Sequence, residues 1–178
     1  MAHSETDLNP VSHITVDALG SPGRRVFYLQ GRGEADTAMV TVIIEKLHLQ
    51  NLIPGIEEVL TEIARQQPGR ETPLEAYAGE TMHIQPPVDP LFRAGNLGLG
   101  YHAESDRVVV FAQEILQEGQ QEEAAAMIRF WCTRQQVRRL ADWGRQVLLQ
   151  GRKVCPQCGE PMDPAGHFCP KKNGRNRH

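Results

Sequence analysis

The chain has 178 residues, 40 % of them hydrophobic, with a formal net charge of −3. That is enough for one core-bearing domain and a small appendage. No apolar run approaches the roughly 20 residues that span a bilayer, and four cysteines with three in a metal-like pattern do not make a disulfide framework, so a membrane-spanning helix and a disulfide scaffold are not expected and the reducing cytoplasm is the expected compartment.

The charge is split along the chain. Residues 1–128 hold 8 Lys/Arg against 19 Asp/Glu, a balance of −11, and residues 129–178 hold 11 against 3, a balance of +8. A basic third of this kind attracts phosphate, nucleic acid or an acidic partner, or it neutralises the acidic body within the fold or across a homodimer.

Residues 1–10 are polar, lack the charged-then-apolar order of a signal peptide, and are expected to form a disordered leader. Strands are predicted at 13–19 and 25–30, joined by Gly20-Ser21-Pro22-Gly23. A third follows at 38–44. It leads into a helix whose apolar positions Leu49, Leu52, Ile53, Ile56, Val59, Leu60 and Ile63 share one face at 3.6-residue spacing. Pro54 and Gly55 are expected to bend or interrupt it. A Pro-, Gly- and Glu-rich linker covers 67–90.

The pattern then repeats. Strands are predicted at 92–101 and 107–114, then at 126–132. The second helix carries Val137, Leu140, Ala141, Val147 and Leu148 at positions offset by 88 from those of the first, with a capping-box pattern at Thr133 and Gln136. The expected fold is α+β: two duplicated βββα units, about 11–66 and 91–152, a mainly antiparallel sheet, two amphipathic helices and a C-terminal zinc-knuckle tail over 153–178. Cys132 lies in an apolar run and reads as a small buried hydrophobe.

The tail carries the clearest chemistry: Cys155-Pro156-Gln157-Cys158-Gly159, then Gly166-His167-Phe168-Cys169. Two cysteines two residues apart suit a tight turn that points both sulfurs at one ion, and zinc takes four tetrahedral N/S ligands. Gly159 suits that turn because it accepts positive φ without strain. The candidate ligands are Cys155, Cys158, His167 and Cys169, holding a structural zinc. The His-x-Cys half is less specific, with water or His178 as alternative fourth ligands, and a metal-free tail or a reactive dithiol is the competing reading.

Two further surfaces are candidates. Arg134, Arg138, Arg145 and Arg152 form a basic stripe on the second helix. Lys153, Lys171, Lys172, Arg175 and Arg177 extend it through the tail as a polyanion-binding surface. Alternatively, Arg25, Arg93 and Arg107 at strand ends, with Gly98 and Gly100 of a glycine-rich strand, line a small-ligand site between the halves; the competing reading is a helix packed on the glycine face. No nucleophile motif is present. The histidines at 3, 13, 48, 83 and 102 have no metal-like pair spacing. The expected function is therefore a non-enzymatic binding or adaptor module, with an enzyme or small-ligand protein as the alternative.

Pro22-Gly23-Arg24-Arg25-Val26-Phe27-Tyr28-Leu29-Gln30, Ile44-Glu45-Lys46, Phe92-Arg93-Ala94-Gly95-Asn96-Leu97-Gly98-Leu99-Gly100-Tyr101 and the Cys-Pro-x-Cys-x-x-Pro-x-Asp-Pro-x-Gly-His-x-Cys tail resemble successive blocks of a bacterial family, domain of unknown function 3090. The resemblance runs from about Val11 to Asn173-Gly174. It implies a stand-alone cytoplasmic bacterial protein with a metal-binding end and implies no activity. The family usually continues Asn-Gly with an aromatic and arginines; here Arg175-Asn176-Arg177-His178 lacks the aromatic.

Overall fold

The computed structural model describes residues 5–36, 39–69, 82–116, 118–119, 125–163 and 165–173. The elements are β1 (Glu5–Leu8), β2 (Val11–Leu19), β3 (Val26–Gly33), β4 (Val40–Ile44), α1 (Lys46–Gln66), β5 (Pro90–His102), β6 (Arg107–Glu114), β7 (Met127–Cys132), α2 (Arg134–Leu149) and the short α3 (Pro170–Asn173). The seven strands form one sheet in the order β1-β7-β6-β5-β4-β3-β2. Pairing is antiparallel within β2-β3-β4 and within β5-β6-β7. The two meanders join through a parallel β4–β5 pair, and β1 adds to β7 in parallel.

Strand alternation sets the core. Register aligns Val16 with Leu29 and Leu29 with Val42 in the first meander, and Leu99 with Val110 and Val110 with Phe130 in the second. Apart from the half-buried Leu99, all are fully buried, in one hydrophobic cluster with the apolar faces of both helices. The sheet curls until its ends meet: β2 touches β7, and β1 touches β3. A Cβ on Gly31 would stand 2.7 Å from the Phe130 ring, so the close approach of β3 to β7 requires glycine there. Each helix crosses to the first strand of the other meander, α1 against β5 and α2 against β2. The helices pack on each other where Gly144 of α2 leaves room for Leu49 and Ile53 of α1.

The expectation of a disordered leader over 1–10 is corrected at residues 5–8. Leu8 is buried. Arg129 pairs with Glu5 at 2.6 Å and Asp7 at 3.0 Å, and the Trp131 indole N–H donates to Asp7 at 2.7 Å. The acidic residues that made this segment look solvated are the complement of a basic and aromatic row on β7. The interruption expected at Pro54 and Gly55 is also corrected, because α1 runs through both. Pro54 and Gln50, whose carbonyl the proline ring leaves unbonded, lie on the exposed side where water satisfies that carbonyl. Gly55 faces β5, 3.1 Å from Leu99 if a Cβ is added.

Candidate metal centre and the basic cleft beside it

The tail leaves the end of α2 and folds on backbone hydrogen bonds. Val154 bridges Pro161 and Asp163 bridges Gly166; Cys155 N–H donates to Glu160 O at 2.8 Å, and Gly159 N–H to Cys155 O at 2.9 Å. Gly159 sits at φ +79°, so the turn after the second sulfur uses the conformation that glycine permits. These turns bring Cys155, Cys158, His167 and Cys169 together, with their four ligand atoms all within 4.8 Å of one another. The Cys155 and Cys169 sulfurs are 3.9 Å apart, and Cys158 Sγ lies 3.1 Å from His167 Nε2. Thiolates about 2.3 Å from a tetrahedral ion stand about 3.8 Å apart, so the spacing fits one metal ion between them. Backbone N–H groups of Cys158 and Gln157 hold the Cys155 thiol down to about 6, which favours the thiolate that a metal requires. The Cys158 thiol is raised: a Glu160 backbone N–H favours its thiolate, but burial and the sulfurs of Cys155 and Cys169 outweigh it. His178 lies outside the described residues. Cys132 is buried far from this cluster in β7, and burial pushes its thiol up.

The basic stripe expected on the second helix extends past it, since α2 ends at Leu149 and Arg152 lies beyond, and it is largely engaged with acidic groups. Arg134 pairs with Asp106 at 3.0 Å, Arg145 with Glu57 of α1 and with Asp142 at 2.7 Å, and Arg152 with Asp163 of the tail at 2.9 Å. The Arg138 Nε is buried without a hydrogen-bond partner among the described residues. Lys153 and Lys171 are exposed. Lys172 lies in α3, its side chain outside the described residues, as are Arg175 and Arg177 altogether. Phe168, flanked by His167 and Cys169, is 75 % exposed.

The alternative constellation does not assemble. Arg93 lies near the start of β5 and pairs with Glu45 at 2.5 Å, whereas Arg107 pairs in register with His102 at the strand's other end, about 30 Å away at ~3.3 Å per residue. The space at Gly98 is filled by its cross-strand neighbour: a Cβ there would meet the Phe111 ring at 2.3 Å, so an aromatic covers this glycine and neither a ligand nor a helix does. Gly100 is open.

Arg25 belongs instead to a 260 Å³ cleft lined by Gly23 of the β2–β3 turn and Phe27 at the start of β3, Glu45 and Lys46 at the start of α1, Gly151 and Arg152 after α2, and Val154 and Pro161 of the tail. Its guanidinium donates to Val147 O at 2.8 Å and lies 5.0 Å from the Phe27 ring. Burial lowers its pKa from the ordinary arginine value, and the field of Asp17 offsets part of this. The first turn of α1 is closed by His48, whose Nδ1 accepts from Glu45 N–H at 3.2 Å. A lone polar-side histidine gave no hint of this beyond its place three residues after Glu45.

Sequence reading also missed a polar clamp. Thr15, Gln30 and Thr41, aligned across β2, β3 and β4, are all buried. With Asp17 they hold residues 82–85. Thr15 donates to Met82 O. Gln30 exchanges bonds of 2.9 Å with the backbone of Gln85. Asp17 accepts from Ile84 N–H at 3.0 Å and faces His83 Nδ1 at 3.1 Å. Polar residues in register on adjacent strands were the available signal.

The family model described as "Protein of unknown function (DUF3090)" matches residues 6–169. No curated protein and no solved structure matches the chain.

Proposed function

The chain belongs to the DUF3090 family, and we propose that it is a non-enzymatic binding module: a structural zinc holds the fold of the C-terminal tail, and the basic surface around that tail engages a phosphate polyanion, nucleic acid in the first instance. The observation that carries this reading is the cluster of three thiols and one imidazole within 4.8 Å. A thiolate-rich tetrahedral set suits zinc, and four protein ligands leave no open position for metal catalysis. The exposed Lys153 and Lys171 flank the cluster in the chain, the exposed Phe168 lies inside it, and Lys172, Arg175 and Arg177 continue the basic run. With Arg134, Arg145 and Arg152 each held by a carboxylate, the contact surface centres on the lysines of the tail, with Arg138 at its margin.

Free thiols in a metal-binding pattern fit the reducing cytoplasm, and among the described residues no helix is long and apolar enough to cross a membrane. The equivalent order of β2-β3-β4-α1 and β5-β6-β7-α2, and the crossing of each helix to the other unit's first strand, support an internal duplication.

Elemental analysis should give about one zinc per chain, lost in Cys158→Ser. Fluorescence anisotropy with labelled single- and double-stranded oligonucleotides should show binding that weakens steeply with salt and has little sequence preference. No binding at low salt, or binding indifferent to truncation after Pro170, would defeat the polyanion part. A metal-free protein would defeat the zinc part. The small-ligand reading is favoured by one observation, the cleft around Arg25.

A further inference from the structure

We propose that the cleft between the start of β3, the start of α1 and the tail is a binding site for a phosphate monoester, anchored by Arg25. The cleft is a recess of 260 Å³ with one half-buried cation on its wall and two more, Lys46 and Arg152, around it. Arg25 has no carboxylate within ion-pair distance among the described residues: its fixed partner is the neutral Val147 carbonyl. The buried Asp17 acts on it only through its field and offsets part of the cost of burial; a guanidinium drawn partly out of water with no carboxylate in contact gains from an anion that completes it. Its planar fork has donors left over after Val147 and can grip two phosphate oxygens. Lys46 is likewise without an ion pair among the described residues and brings an ammonium group to the cleft.

The one carboxylate lining the cleft, Glu45, is occupied by Arg93 at 2.5 Å, so its charge is met from outside. Arg152 is shared with Asp163 at 2.9 Å, a contact that also ties the tail to the cleft. Gly23 and Gly151 lower the walls, and a Cβ on Gly151 would come within 2.9 Å of the Arg25 guanidinium. A dianionic phosphate of tetrahedral shape matches this placement of charges better than a carboxylate, because three cations approach from three different elements.

The far wall is made by Val154 and Pro161, which bridge each other in the metal-bearing tail. Metal and phosphate are therefore linked: the ion that orders the tail also completes the cleft, and by reciprocity the phosphate steadies the tail. The site does not depend on the polyanion reading, since a monoester end can belong to a free small molecule or to a nucleic-acid strand, and the experiment separates these sources.

The test is a 1H–15N NMR titration of the zinc-loaded full chain with inorganic phosphate, with a nucleoside 5′-monophosphate, and with two short oligonucleotides that differ only in carrying a 5′-phosphate or a 5′-hydroxyl. Amides of Gly23, Lys46 and Gly151 should shift with phosphate and with the monophosphate, and the 5′-phosphorylated strand should bind more tightly than its partner if the source is a strand end. Arg25→Gln should weaken binding by about tenfold or more, and Lys46→Gln by a few-fold, as expected for charge-assisted contacts. Lys46→Gln alters an exposed residue and decides the matter if Arg25→Gln fails to fold. Cys158→Ser should also weaken phosphate binding. The proposal is overturned if phosphate shifts no amide around the cleft, or if binding is indifferent to both charge variants. If both strands bind equally and phosphate does not bind at all, the cleft proposal falls while the polyanion reading stands.

Discussion

At the junction of β7 and α2, Arg134 is held by Asp106 at 3.0 Å, and Asp106 also accepts from the Tyr101 hydroxyl at 2.9 Å. At the junction of β4 and α1, Lys46 occupies the corresponding first helical position, offset by 88, and has no ion pair among the described residues. Both junctions close their helix by a side chain three residues past the cap: Gln136 returns to Thr133 N–H at 2.8 Å, and His48 to Glu45 N–H at 3.2 Å. The residue before the inner strand differs in sign, Asp106 ahead of β6 and Arg25 ahead of β3. The second junction therefore neutralises itself. The first collects cations around a recess and then receives the end of α2 and the tail as a further wall. The second junction matches its charges internally, and the first leaves Arg25 and Lys46 without an ion pair among the described residues, which is the contrast that the proposed phosphate site rests on.

The most severe way to probe the comparison is through the core beneath it. Phe130 of β7 and Val42 of β4 hold corresponding places, and both are fully buried. Phe130→Ala should cost about 3–5 kcal/mol, because the ring fills the space that Gly31 leaves. Val42→Ala should cost about 2 kcal/mol. Urea unfolding of the two variants reads the difference, and equal losses would mean that the halves share their core evenly.

A sharper cut separates the charges. Arg134→Ala removes one member of a pair whose side chains are 16 % and 30 % exposed, and should destabilise by about 1–2 kcal/mol. Lys46→Ala should stay within about 0.5 kcal/mol. Similar losses in thermal melts would contradict the contrast between a self-neutralised and an open junction. Smaller again, Thr133→Ala deletes the hydroxyl that accepts from Gln136 N–H at 3.1 Å and should cost about 1 kcal/mol, with α2 fraying at its first turn in hydrogen exchange.

The weakest effect concerns β1, which pairs only on the side of the second meander. The Arg129 guanidinium beside Asp7 holds its carboxyl below the ordinary value. The depressed pKa means that the contact stabilises β1 above the ordinary carboxylate range and is lost as pH falls through the lowered value. The protection factors of residues 5–8, which allow for the intrinsic pH dependence of amide exchange, should fall over that acidic window, and Asp7→Asn should flatten this fall while lowering protection at neutral pH.

The elements with their own periodicity were legible in the chain. β2, β3, β5, β6 and both helices stand within a few residues of their predicted limits. So was the metal-like cluster, because its turns are local and its four donors lie within 15 positions. What was not legible depends on distant partners. β1 has four residues and no pattern until Arg129 and Trp131 are beside it. Arg93 and Arg107 look alike as strand-end cations, and only the length of β5 reveals that they point to opposite ends. The basic stripe looked uniform, but Asp106, Glu57 and Asp163 come to it from three other segments. The cleft needed three segments more than 120 residues apart in part, which no window of sequence contains.

The return of α2 to β2 bears on how the molecule is made. Gln136 donates to Val11 O at 2.9 Å and Trp143 to Val16 O at 2.6 Å, contacts that span most of the chain. A nascent chain holding β2, β3, β4 and α1 lacks the cover that residues 82–85, and after them α2, bring to β2. The first meander must therefore wait, with apolar surface open, for the second. The tail follows α2 directly, so the Cys/His cluster assembles at nearly the same moment as the body closes.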